Sequence, residues 1–244
     1  MNRSLTVAAP FRRYTTHMQI AALVFPDIDQ MDLTGPFEVL SRLRDARFKL
    51  VWKDLGPVRD ANGLILTPGT LLPHAPEAPD VLLVPGGRGQ LALMDDLPVL
   101  EWIRARAAKA RYIFSVCTGA LTLGAAGLLR GRRATTHWNS VHLLREFGAI
   151  PEDARVVIDG NLISTAGVSA GLDGALRLAA FLASDDVAQR IQLEMQYAPE
   201  PPFSSGTPAQ APAAIRDTAA AAVAPLATAR LEAARRATSR LWSF

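Results

Sequence analysis

The chain holds one cysteine in 244 residues. An internal disulfide is therefore excluded, and the fold must rest on its core. No apolar run approaches the roughly 18 residues that a membrane-spanning helix needs. Residues 1–17, MNRSLTVAAPFRRYTTH, carry positive charge but no sustained apolar stretch, which argues against a secretory signal. This segment is expected to be a disordered extension, and with so few thiols the protein is expected in the reducing cytoplasm. Internal repeats are absent. His17, His74 and His142 make no metal-spaced cluster with the lone cysteine, so no metal is expected. The stretch GGRG after a strand lacks the full dinucleotide fingerprint, which argues against a nucleotide cofactor.

Charge of one sign is also scarce in the body of the protein. The net charge is +3. Arg3, Arg12 and Arg13 stand without an acid in residues 1–17, and residues 216–244 carry five arginines against Asp217 and Glu232. The basic character thus belongs to the ends, and the middle is mildly acidic. A nucleic-acid groove across the core is not expected.

Apolar residues make up 49% of the chain, enough for one α/β domain with a sizeable core. Strand-like runs are MQIAALVF (18–25), FKLVWKD (48–54), a short LILTPG (64–69), VLLVPGG (81–87), YIFSV (112–116) and a short RATTHW (133–138). ARVVIDGNLISTAG (154–167) reads as a hairpin across Asp159–Gly160. Helical stretches are PFEVLSRLRD (36–45), LPVLEWIRARAAKA (97–110), TGALTLGAAGLL (118–129), NSVHLLREFG (139–148, closed by Gly148) and two between 171 and 197. Residues 199–212 are rich in Pro, Ser, Gly and Ala, and an Ala/Arg helix interrupted near Pro225 follows. Strands alternating with helices imply a mainly parallel sheet covered on both faces. The expected organisation is an extension (1–17), one domain (18–198), and a C-terminal segment with a helix (199–244).

Ligands of such sheets bind beyond the carboxyl ends of the strands. Asp32, Gly86–Gly87, Cys117, His137 and Thr165–Gly167 all fall there. In SVCTGA, Cys117 has the strand–nucleophile–helix form of an elbow, with Gly119 and Ala120 allowing the helix to turn close to the strand. Free amides at the bend favour thiolate over thiol, and with the Gly86–Gly87 loop they offer donors to a developing anion. The alternative is a small buried cysteine. Asp32 is either a proton donor beside the thiol or a helix N-cap. Thr118 orients water or substrate, or else caps the helix. His137 is a base for Cys117, or a histidine packed on Trp138. Glu38 faces the site or the solvent.

VFPDIDQMDLTGPFEVL, VLLVPGG, SVCTGALTLGAAGLLRGRRATTHW and STAGVSAGLDGALRLA resemble, in order, the motifs of the ThiJ/PfpI superfamily, whose fold is class I glutamine amidotransferase-like. The similarity runs over roughly residues 18–206. Within the superfamily the DLTGP carboxylate, the CTG elbow and YAPEPPFSSG resemble the isonitrile hydratase group most. The resemblance implies a flavodoxin-like three-layer sandwich, a homodimer and no cofactor. It also implies addition of water to an isonitrile, R–N≡C, giving an N-substituted formamide through a cysteine thioimidate. Carried over, Cys117 is the nucleophile, Asp32 the essential carboxylate and Thr118 an assisting residue. A histidine follows the cysteine in the protease-like branch, and Thr118 stands there instead. The glyoxalase and deglycase branch uses a glutamate where this chain has Asp32.

A second class of function is a small-molecule or oxidative-stress sensor built on the same reactive cysteine. ATTHW and TAGVSAGLD also resemble the N-terminal domains of AraC-type regulators. Those add a DNA-binding region of roughly a hundred residues, and the stretch after Gly206 is too short and too rich in Ala and Pro to supply one.

Overall fold

In the computed structural model the described residues are 17–242. The expected disordered extension therefore lies, apart from His17, outside them. The first apolar run forms β1 (Met18–Leu23) and leads through a turn into α1 (Gln30–Leu40). β2 (Ala46–Trp52) returns parallel to β1. A small antiparallel ribbon of β3 (Val58–Arg59) and β4 (Ile65–Leu66) follows, and β5 (Thr70–Leu71) then joins the edge of the main sheet. β6 (Val81–Val84), α2 (Gln90–Leu93), α3 (Leu97–Ala107), β7 (Tyr112–Val116) and α4 (Gly119–Ala125) continue the alternation. β8 (Arg133–Ala134) and β9 (Ile150–Pro151) pair around a 3-10 helix, Trp138–Phe147. The hairpin of β10 (Val156–Asp159) and β11 (Leu162–Thr165) precedes α5 (Ala170–Leu182), α6 (Asp185–Glu194) and α7 (Ala213–Leu241).

The seven-stranded sheet has the order β10-β11-β7-β6-β1-β2-β5, parallel except at β10–β11. All four residues of β6 are buried, as a strand covered on both faces requires. Helices surround the sheet in two packed groups. α1 lies against α5 and α5 against α6, while α2, α3, the 3-10 helix and α7 gather around α4. The expected mainly parallel α/β sandwich is the observed one.

Three elements differ from the sequence reading. α1 begins at Gln30, six residues earlier than expected, because Asp29 caps it by accepting from the Met31 amide at 3.2 Å. Pro36 is accommodated inside it, facing Gly171 of α5, where a Cβ would stand 3.4 Å from the proline ring. Residues 138–147 wind as a 3-10 helix, although Gly148 closes it as expected, at φ +68°. α7 runs unbroken through Pro225. Both Pro225 and Ala221, whose carbonyl the proline leaves without an amide partner, are exposed, and the alanine-rich flanks have the highest helix propensity.

Candidate active site

β7 ends at Val116, and Cys117 follows with φ +55°, a left-handed conformation that a residue with a side chain adopts at a cost of about 1–2 kcal/mol. The bend is pinned from three sides. The Cys117 amide donates to the carbonyls of Thr165 (3.2 Å) and Ala166 (3.0 Å), and the Thr136 hydroxyl donates to the Cys117 carbonyl at 2.6 Å. Gly119 starts α4 so close to β6 that a Cβ there would lie 2.0 Å from the Val84 carbonyl oxygen. The expected elbow is therefore present, and Gly119 serves it by lacking a side chain.

Asp32 is fully buried in the first turn of α1. Its Oδ2 accepts from the Gly86 amide at 2.9 Å, and the carboxyl also shares a hydrogen bond with the Cys117 side chain. Asp32 is not a cap; Asp29 has that duty. Thr118 stands at the N-cap position of α4, yet its hydroxyl makes no capping bond. Thr118 Oγ1 instead accepts from the Gly87 amide at 3.2 Å. The two glycine amides thus orient Asp32 and Thr118. Gly86 can do so only without a side chain: a Cβ would lie 2.6 Å from Thr118 Oγ1 and 2.9 Å from Asp32 Oδ2.

The amides of Thr118 and Val168 face the Cys117 sulfur and favour its ionised form. Val168 is held at φ +22° just after β11. The sequence reading stopped one residue short of it, at the strand end Thr165–Gly167. His137 is close by but engaged elsewhere. Its Nδ1 lies 2.8 Å from Asn139 Oδ1, its ring sits 5.7 Å from that of Trp138, and burial lowers its pKa. Glu38 is on the solvent side, paired with Arg42 at 2.6 Å.

One participant comes from an unexpected place. Arg230 of α7 is only 5% exposed, and its Nη2 donates to the Gly87 carbonyl at 2.8 Å and approaches Thr118 Oγ1 at 3.5 Å. A faint signal exists in the sequence: Arg230 shares helical spacing with Ala233, Ala234 and Ala237, the buried face of α7.

Burial dominates the electrostatics. It pushes the Asp32 carboxyl well up, helped by the nearby charge of Asp29 and opposed by the Gly86 hydrogen bond. Burial also pushes the Cys117 thiol up, and the charge of Asp32 adds to this. The Cys117 side chain in turn hydrogen-bonds to the Asp32 carboxyl and lowers it, so the two titrate as a pair and their protons come off in two coupled steps. The arrangement sets a thiol and a carboxyl that compete for protons within one enclosure.

A cleft of about 490 Å³ opens beside Val168, walled by His137, Trp138, Arg155, Gly167, Ser169 and the 206–209 stretch of the C-terminal segment. Its size falls within the 300–1,000 Å³ usual for small-molecule sites. Among the described residues no group of three His, Cys, Asp or Glu side chains gathers as a metal set, and no helix is long and apolar enough to cross a membrane.

Comparison with known proteins agrees with this geometry. The DJ-1/PfpI family matches residues 18–180. The chain is 51% identical over 224 residues to the isonitrile hydratase of Pseudomonas putida, a match covering 92% of this chain and 98% of that protein. A crystal structure of a ThiJ/PfpI family protein from Pseudomonas syringae superposes with a TM-score of 0.87 at 40% identity, over 95% of this chain and 97% of the other. The HTH-type transcriptional regulator CdhR of Pseudomonas aeruginosa is 32% identical over 139 residues, but the match spans only 40% of that regulator.

Proposed function

The chain belongs to the DJ-1/PfpI family, and on that premise we propose that it adds water to an isonitrile, giving an N-substituted formamide, with Cys117 as nucleophile and Asp32 as acid and base. The near-full-length similarity to an isonitrile hydratase supports the reaction. The observation that carries the residue assignment is a fully buried carboxyl group facing a cysteine held at a strained bend.

In the reacting form the one proton that the pair shares lies on Asp32, and Cys117 is the thiolate. The thiolate adds to the terminal carbon of R–N≡C, and the Asp32 proton passes to that carbon. The product is a thioimidate, R–N=CH–S–Cys117, and Asp32 is left as carboxylate. Water then adds to the thioimidate carbon while Asp32 relays one of its protons to nitrogen. Collapse of the adduct forms the formamide carbonyl, breaks the C–S bond and returns the hydroxyl proton to Asp32. Thr118 positions the water; the Thr118 and Val168 amides steady the charge on sulfur. Covalent catalysis divides one difficult addition into two easier ones. The protein works without a cofactor, as a homodimer in the cytoplasm.

Hydration is preferred over a sensor role because Cys117 is only 6% exposed and has an acid beside it; oxidation of a sensor thiol calls for accessibility. Purified protein incubated with cyclohexyl or p-nitrophenyl isocyanide is expected to form the corresponding formamide. Cys117→Ser abolishes this, and Asp32→Asn lowers it by about 10²–10⁴, the usual worth of general acid–base help. A fully reduced wild-type protein that yields no formamide overturns the proposal.

A further inference from the structure

Cys117 is buried, yet two residues in direct contact with it face open space. Ala166, whose carbonyl accepts from the Cys117 amide at 3.0 Å, and Val168, whose amide faces the sulfur, both line the cleft of about 490 Å³. Between them Gly167 leaves bare backbone, and a Cβ there would stand 2.7 Å from the His137 ring. Trp138 is a half-buried wall of the same cleft. A second space of about 110 Å³ reaches Ile215 of α7, and the indole and residues 206–208 border both spaces. The charged groups of the cleft are already engaged or lie in water. Arg155 is tied to Asp173 and, at 3.3 Å, to the Ser169 hydroxyl, while Asp153 is exposed. Nδ1 of His137 is held by Asn139, and burial favours the neutral ring. An uncharged cleft with an aromatic wall and a floor of small residues suits a neutral aromatic group.

We propose that this cleft receives the substituent R of the isonitrile, that its substrates are neutral aryl isonitriles larger than a single ring, and that Trp138 is the wall that determines this specificity. The proposal rests on the hydration reading for the identity of the reacting group. Attack requires the terminal carbon about 3–3.5 Å from sulfur. The C–N–R axis of an isonitrile is straight, so R cannot fold back over the elbow and must occupy space leading away from it. The cleft that begins at Ala166 and Val168 is that space. Benzene fills a cavity of about 150 Å³, so a single ring leaves most of the 490 Å³ unused. A fused pair of rings fills more of it and lies against the indole in the offset or edge-on arrangement that aromatic pairs adopt. R is remote from the bonds that change, so its contacts are alike in ground and transition states and act on KM.

Steady-state kinetics with two isonitriles and one binding measurement test it. On the wild-type protein KM for 2-naphthyl isocyanide is expected about tenfold or more below that for methyl isocyanide. Trp138→Ala opens the cleft toward the 110 Å³ space and is expected to raise the naphthyl KM about tenfold, the loss falling on KM rather than kcat. Trp138→Phe keeps a ring and is expected to recover most of that loss. Binding is read apart from chemistry by calorimetry on Cys117→Ser protein, which lacks the nucleophile. It is expected to bind 2-naphthyl isocyanide, and adding Trp138→Ala weakens Kd about tenfold. Equal KM for the naphthyl and methyl compounds on wild type overturns the proposal even if neither Trp138 variant folds. So does a folded Trp138→Ala protein whose naphthyl KM matches the wild type. If Cys117→Ser protein binds the naphthyl compound through Trp138 and wild type forms no formamide, the cleft stands as an aryl isonitrile site and the hydration reading falls.

Discussion

Asp32 is an acid that the fold keeps from water at a site where water would stabilise its charge. Its carboxyl is raised by burial, so the native state binds that proton more tightly than the unfolded chain. The stability it contributes is complete below the unfolded carboxyl value of about 3.9 and is lost as the pH climbs toward the native value. At neutral pH the residue therefore works against folding. Asparagine keeps an acceptor for the Gly86 amide and removes the ionisable group, so Asp32→Asn is expected to be more stable than wild type at pH 7 and not at pH 4. Each kcal/mol released raises Tm by about 2–4 °C for a chain of this size. Thermal unfolding at the two pH values checks this, and an Asn variant less stable than wild type at pH 7 contradicts it. The type and place of this residue were legible in DLTGP, since a carboxylate at a strand end before a helix marks a site or a cap. The choice between those was not legible, because it depends on Asp29 taking the cap and on Gly86, 54 positions away, reaching Oδ2.

The elements divide into those whose identity is local and those whose identity is borrowed. The elbow was readable because SVCTGA changes within one residue from β-branched and apolar to small, and only a glycine tolerates the approach of β6. Gly119→Ala is expected to cost about 3 kcal/mol, since its Cβ would meet a backbone oxygen that cannot step aside; a Tm within 2 °C of wild type counts against that packing. α7 was harder to read. An internal proline suggests a break, and an Ala/Arg helix suggests a solvated tail, whereas its 230-233-234-237 face lies in the core region. Its outer end is clasped by Arg236 (2.7 Å) and Arg240 (2.8 Å) on Asp95, whose carboxyl these partners hold below its usual range. That contribution is present above the ordinary carboxylate range and fades as the pH falls through the lowered value. Asp95→Asn should therefore destabilise by less than about 1 kcal/mol at pH 7, as surface pairs do, and by nothing once the wild-type carboxyl is protonated. Chemical denaturation at neutral and acid pH distinguishes the two, and an equal loss at both rules the clasp out.

At the scale of the molecule, alternating apolar runs and helical stretches announced the parallel sheet, and the crevice beyond its strand ends followed from topology alone. What sequence order hid is convergence. Asp32, Gly86, Cys117, Val168 and Arg230 come from five separate stretches, and Arg230 reaches Gly87 across 143 positions. Light scattering is expected to return twice the mass of one chain; the mass of a single chain at micromolar concentration would remove the homodimer. The central claim is covalent chemistry at one sulfur, and one measurement meets it directly. Wild-type protein is mixed with cyclohexyl isocyanide, quenched in acid within milliseconds to seconds, digested and weighed by mass spectrometry. The account expects the peptide containing Cys117 to gain the full mass of the isonitrile early and to lose it as formamide appears. Formamide accumulating at the normal rate with Cys117 unmodified throughout would contradict it.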